Sequence, residues 1–101
     1  MTGTVPQPNA ELDAAHTCLR AGVAERLMRK EPAPAAEERW DWAVRITAAC
    51  EDRIIAAANS GGSVYVLGDH AHSSISKLDL LRAEANYFVD RLIREHYEAK
   101  A

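Results

Sequence analysis

A chain of 101 residues with a net charge of −3 and a pI near 5.8 allows one domain and argues against a phosphate-gripping nucleic-acid clamp, which needs an excess of Lys and Arg. Apolar residues make up 48% of the chain, but 19 of them are alanine and only one is phenylalanine. The core is therefore thin, and some apolar surface is expected to be completed by a partner or by further copies of the chain.

The opening stretch, MTGTVPQPNAE, has neither a basic region nor an apolar run, so no signal peptide is expected. No segment reaches the length of a membrane span, and the chain is expected to be made in a cytoplasm. Residues 1 to 8 carry two prolines and no periodicity and read as a tail, leaving 9 to 101 as a single domain. Asn9 can cap a first helix. Leu12, Ala15, Leu19, Val23 and Leu27 recur at steps of three and four and form one apolar stripe. Arg26, Arg29 and Lys30 suit the negative end of its dipole. Pro32 and Pro34 end the helix, and Pro34 can open the next.

The second helix is expected from about Ala35 to Asn59. Glu37 and Glu38 lie in its first turn, and Trp40, Ala43, Thr47, Cys50, Ile54 and Ala57 form a seam for another helix. The glycines of NSGG close it. The stretch SVYVLGDHAHSSIS, residues 63 to 76, is the chain's one β-prone run, with Gly68-Asp69 suited to a two-residue turn. It predicts a β-hairpin over 63 to 74, with Val64 and Val66 on one face and Tyr65 and Leu67 on the other. A third helix starts at Ser76, where Asp79 completes a capping box and Ile75 and Leu80 a hydrophobic staple. Leu78, Leu81, Ala85, Phe88 and Leu92 give its stripe, and Asp90–Arg94, Arg91–Glu95 and Arg94–Glu98 are expected as ion pairs on its wet face. The expected fold class is α+β, mainly α: three helices with one short β-hairpin between the second and the third.

The chemistry-bearing residues do not converge on an active site. His70 and His72 share a strand face and could bind zinc, but a third ligand, from Asp69, His16 or His96, is not fixed nearby. Glu37, Glu38 and Asp41 lie one turn apart and could hold Mg²⁺, as in small helical pyrophosphohydrolases of the MazG type. The second acidic pair such a site needs is present only as Glu95 and Glu98 at a helix end, and the helix dipole explains the first cluster equally well. No nucleophile motif or phosphate loop is present. No metal, no cofactor and no enzymatic activity are expected. Cys18 and Cys50 read as free thiols in apolar faces, with a Cys18–Cys50 disulfide as the alternative. Trp40 and Trp42 fall on nearly opposite helix faces, so one can be core and the other a contact, and Tyr87 and Arg91 lie off the main stripe of the third helix. The residues expected to meet a partner are Trp42, Tyr65, Leu67, His70, His72, Tyr87 and Arg91.

The run AAANSGGSVYVLGDHAHSSISKLDLLRAEANYFVDRL resembles small head-completion, or head–tail joining, proteins of tailed phages, the lambda W type. The matching residues are Ser60-Gly61, Ser63, Val64, Val66, Gly68-Asp69, Ser76, Leu78, Leu81 and Arg82, about a third of the chain with its flanks. The chain differs in its HAHSS hairpin return, which relatives often make more basic, and in its additional N-terminal helix. The resemblance implies a hairpin packed across two antiparallel helices. It also implies a structural role as one copy of a ring in the virion, joining portal and tail adaptor around the DNA channel with weak DNA contact. The other function expected is a small regulatory or inhibitory binding protein from a phage or other mobile element.

Overall fold

A computed structural model describes residues 10 to 59 and 76 to 100 of the chain. They form four α-helices: α1 (Ala10–Leu27), α2 (Ala36–Ala49), α3 (Glu51–Asn59) and α4 (Lys77–Lys100). Among the described residues there is no strand, so the α+β expectation is corrected to all-α. The physical reason is that helix faces fill the core unaided. Every residue of the buried cluster, from Ala15 to Ile93, lies on one of the four helices or at the α2–α3 junction. The segment 63 to 74, where a hairpin was expected, lies outside the described residues.

α2 and α3 were expected as one rod. The helical ladder tightens at Cys50, whose N–H donates to the carbonyl of Thr47 at 3.0 Å. It restarts at once, with the N–H groups of Arg53 and Ile54 donating to the Cys50 carbonyl. Cys50 thus closes α2 and caps α3. The same residue is cross-linked to Cys18 of α1, with Cα atoms 6.0 Å apart. This corrects the expectation of two free thiols, and the break in the rod coincides with the cross-link.

The packing follows from simple residue pairings. Cys18 meets Cys50, Gly22 meets Ile46 and Arg26 meets Trp42. Each pair is four residues further along α1 and four residues back along the second rod, so the two run antiparallel, face to face at every turn. Arg39 meets Asp90, Trp40 meets Tyr87 and Glu51 meets Arg82, so α4 is also antiparallel to the second rod. α1 and α4 run parallel, with His16 stacked on Phe88 near one end and the Glu31 carbonyl accepting from the Tyr97 hydroxyl at 2.9 Å near the other. Three apolar stripes close the core: Ala15, Leu19 and Val23 from α1; Trp42, Ala43, Thr47, Cys50, Ile54 and Ala57 from the second rod; Leu81, Ala85, Val89 and Ile93 from α4. On α4 the deepest residues are Val89 and Ile93, and Phe88 and Leu92 flank them.

The helix ends obey local chemistry. At α4 the Ser76 hydroxyl accepts from the Asp79 N–H at 3.1 Å, the first half of the expected capping box. The Asp79 carboxylate accepts from Arg82. At the end of α1, Lys30 takes φ of 55°, the left-handed turn that lets a chain leave a helix. Asp90 pairs with Arg39 of α2 and not, as expected, with Arg94: an inter-helix partner at 2.8 Å in a half-buried setting outcompetes an exposed pair along one helix.

Candidate functional site

Three of the four large apolar side chains exposed among the described residues lie on the face shared by α2 and α4, the fourth being Met28 just past α1. Trp40 and Val44 are one turn apart on α2, and Tyr87 projects from α4. They retain 37%, 40% and 68% of their surface. The Trp40 and Tyr87 rings lie 5.1 Å apart and tilted by 56°, a favourable aromatic geometry. The Arg39 guanidinium donates to Asp90 at 2.8 Å, one residue before Trp40 on α2 and three residues after Tyr87 on α4, in a half-buried setting. Arg91 is exposed one turn beyond Tyr87, with its guanidinium 5.9 Å from the centre of the Phe88 ring. Exposed aromatic side chains of this kind are enriched at protein-binding surfaces.

Of the expected contact residues, Tyr87 and Arg91 are exposed on this face. Trp42 is not available: it is buried to 6% exposure, with the Arg26 guanidinium 4.1 Å above its ring. The seam on the second rod is rotated by enough to bury Trp42 and leave Trp40 at the edge, because Trp42 fills the space beneath α1 at the level of Arg26. Tyr65, Leu67, His70 and His72 lie outside the described residues. The signal that identifies Trp40 is its four-residue step to Val44, an apolar pair with no counterpart in the core stripe.

A second feature lies on the opposite side of α2. Between α1 and α2 runs an open groove of about 510 Å³ lined by Cys18, Gly22, Arg26, Arg29, Arg45 and Cys50, with Glu25, Ala21, Ile46 and Ala49 completing it. The two helices approach closely here because Gly22 has no side chain. Arg26 is turned toward Glu31 and Trp42, and Arg45 toward Asp41.

Among the described residues no three His, Cys, Asp or Glu side chains gather where they could hold a metal ion. Glu37, Glu38 and Asp41 lie on the exposed start of α2, and Asp41 is engaged by Arg45. Glu95 and Glu98 are exposed toward the far end of α4. His16 is stacked on Phe88 at 4.8 Å, and burial, helped by the Arg20 charge and opposed by Asp13, pushes its pKa below 6.5. No described helix is long and apolar enough to cross a membrane.

The fold and this face define a small all-α bundle with an unpaired aromatic surface. No protein family pattern matches the chain, and no characterised protein or solved structure is similar to it at a significant level.

Proposed function

We propose that the protein is a helical interaction subunit that associates with a second copy of itself through the α2–α4 face, acting by surface complementarity and not by catalysis. The observation that carries this reading is the Trp40–Tyr87 pair, exposed beside Val44 between two helices that the Arg39–Asp90 ion pair also joins. Side chains ordered before binding lose little entropy on docking, which is where aromatic contacts gain their strength. A core built from alanine and few large residues supports the same reading, since association would bury apolar area that one copy cannot. In finer form, the subunit is one of several in a larger assembly, the head–tail junction of a phage particle among them. The competing form is a discrete complex with one regulatory target.

Sedimentation equilibrium of the full chain tests the proposal. The wild type is expected to form dimers or larger closed oligomers at tens of micromolar, and the Trp40→Glu/Tyr87→Glu variant is expected to stay monomeric with unchanged helicity. A wild type that remains monomeric throughout that range refutes self-association. An oligomer untouched by the double substitution refutes the face.

A further inference from the structure

We infer that the Cys18–Cys50 disulfide is a thiol-exchange site, opened from the α1–α2 groove by a small thiol that carries carboxylate groups, with Cys18 as the sulfur attacked. The two sulfurs are not equivalent. Both cysteines line the groove, but Cys18, within α1, is only half-buried, whereas Cys50, at the start of α3, is 3% exposed. An incoming thiolate therefore reaches Cys18 more readily. Its lone pair forms the new S–S bond to Cys18, the Cys18–Cys50 bond breaks, and its electron pair leaves on the Cys50 sulfur as a thiolate. Cys50 is reduced, the incoming thiol is oxidised to a mixed disulfide, and its proton has already gone to solvent.

Burial in the apolar core and its place at the C-terminal end of α2 disfavour a thiolate at Cys50, and what offsets them is its place at the start of α3. Exchange is faster when the departing thiolate is stabilised, and the first turn of a helix stabilises one. Cys50 caps α3, and its carbonyl already accepts from Arg53 and Ile54. Of the two acids that follow it and oppose a negative sulfur, Glu51 is engaged by Arg82 of α4, leaving Asp52 the nearer uncompensated charge.

The groove also selects its thiol. Arg26, Arg29 and Arg45 line it against a single acid, Glu25. The acids that neutralise two of these arginines, Glu31 and Asp41, are not part of the lining, and the Asp41–Arg45 pair is exposed enough to yield to a ligand carboxylate. A carboxylate-bearing thiol such as glutathione is thus favoured over a cationic thiol of similar reactivity. This site is independent of the aromatic face on the other side of α2.

The test uses the oxidised full chain, treated under native conditions with glutathione or with cysteamine at matched thiolate concentrations, quenched by alkylation and mapped by mass spectrometry. The expected products are glutathione on Cys18 and a free, alkylated Cys50, formed about fivefold faster with glutathione than with cysteamine. That preference is expected to vanish in Arg29→Glu/Arg45→Glu, and in the wild type to shrink toward one at high salt, which keeps the charge claim testable if the variant folds poorly. The inference is overturned by adducts on Cys50, by equal rates for the two thiols, by exchange no faster than global unfolding, or by a purified chain whose two cysteines stay reduced in air.

Discussion

Replacing Gly22 with alanine sets two effects of opposite sign against each other. In an exposed helix the change stabilises by about 1 kcal/mol, because alanine surrenders less backbone freedom on folding. Gly22 is in mid-α1, yet a Cβ built there falls 2.7 Å from Cγ2 of Ile46. Carbon atoms settle at roughly 3.5–4.0 Å, so about 1 Å must be recovered. Ile46 cannot swing aside cheaply, because a β-branched side chain in a helix has one strongly preferred rotamer. Nor can the helices simply part. The disulfide pins them one turn toward the α1 start, and Arg26 stacked on Trp42 holds them one turn the other way. Overpacking of this kind costs about 1–3 kcal/mol, which outweighs the helical gain and leaves Gly22→Ala less stable by about 1 kcal/mol. In a domain of this size that lowers Tm by about 4–8 °C. Urea titrations of the single variants and of Gly22→Ala/Ile46→Ala complete the cycle. Once Ile46 is cut back, the alanine at 22 is expected to stabilise by about 1 kcal/mol, a coupling of about 2 kcal/mol. A Gly22→Ala variant more stable than the wild type would refute the close approach of α1 and α2.

Further perturbations read other parts of the bundle. Replacing both cysteines by alanine removes a cross-link spanning 32 residues of sequence, and chain entropy alone predicts a loss of about 3–4 kcal/mol in urea titration; a loss below about 1 kcal/mol would mean the bond is not formed. Tyr97→Phe removes the hydroxyl that donates to the Glu31 carbonyl and is expected to cost about 1 kcal/mol in thermal unfolding, with no change if that linker is held otherwise. Thr47 is buried with no partner for its hydroxyl, so Thr47→Val is expected to be neutral or stabilising by up to about 1 kcal/mol; marked destabilisation would reveal a hydrogen bond there. His16 binds its proton less readily in the folded chain, through burial first and the Arg20 charge second. The unfolded chain therefore takes up more protons in the interval below 6.5, and stability falls as pH drops from 6.5 through the lowered folded value. His16→Gln is expected to flatten the Tm profile there, and an unaltered profile would exclude His16 as its source.

The periodicity of the chain is a reliable guide wherever one face is apolar and the other charged. Ala15, Leu19 and Val23, and Leu81 and Ala85, could be placed as helix stripes from spacing alone, and Ser76 with Asp79 marked the start of α4; beyond Ala85 the buried face is Val89 and Ile93, not the expected Phe88 and Leu92. Three features required a third dimension. The second rod has apolar residues nearly all round between Trp40 and Ile46, so spacing does not say which tryptophan faces inward; the level of α1, and Arg26 in particular, decides for Trp42. The cross-link depends on Cys18 and Cys50 sharing one level of an antiparallel pair, a fact about register that no spacing within either helix carries. The Arg39–Asp90 bridge likewise joins residues far apart in sequence, whereas the expected Asp90–Arg94 pair was a purely local inference. The hairpin expectation had a different source. It rested on β-branched residues and a glycine turn within 63 to 74, which lie outside the described residues.

This arrangement makes α2 the element on which both surfaces depend. Its inner turns are fixed to α1 by the disulfide, the Gly22–Ile46 contact and the Arg26–Trp42 stack. Its flank toward α4 is fixed separately, by Arg39–Asp90 at one end and, just past its other end, by Glu51–Arg82. The Trp40–Tyr87 pair lies between the same two helices as the second set of contacts. Opening the cross-link therefore loosens the α1 side and the junction with α3, where Cys50 caps the helix, while the ion pairs still hold α2 against α4. The proposed chemistry at the sulfurs and the proposed docking at the aromatic rings therefore draw on different neighbours of the same helix.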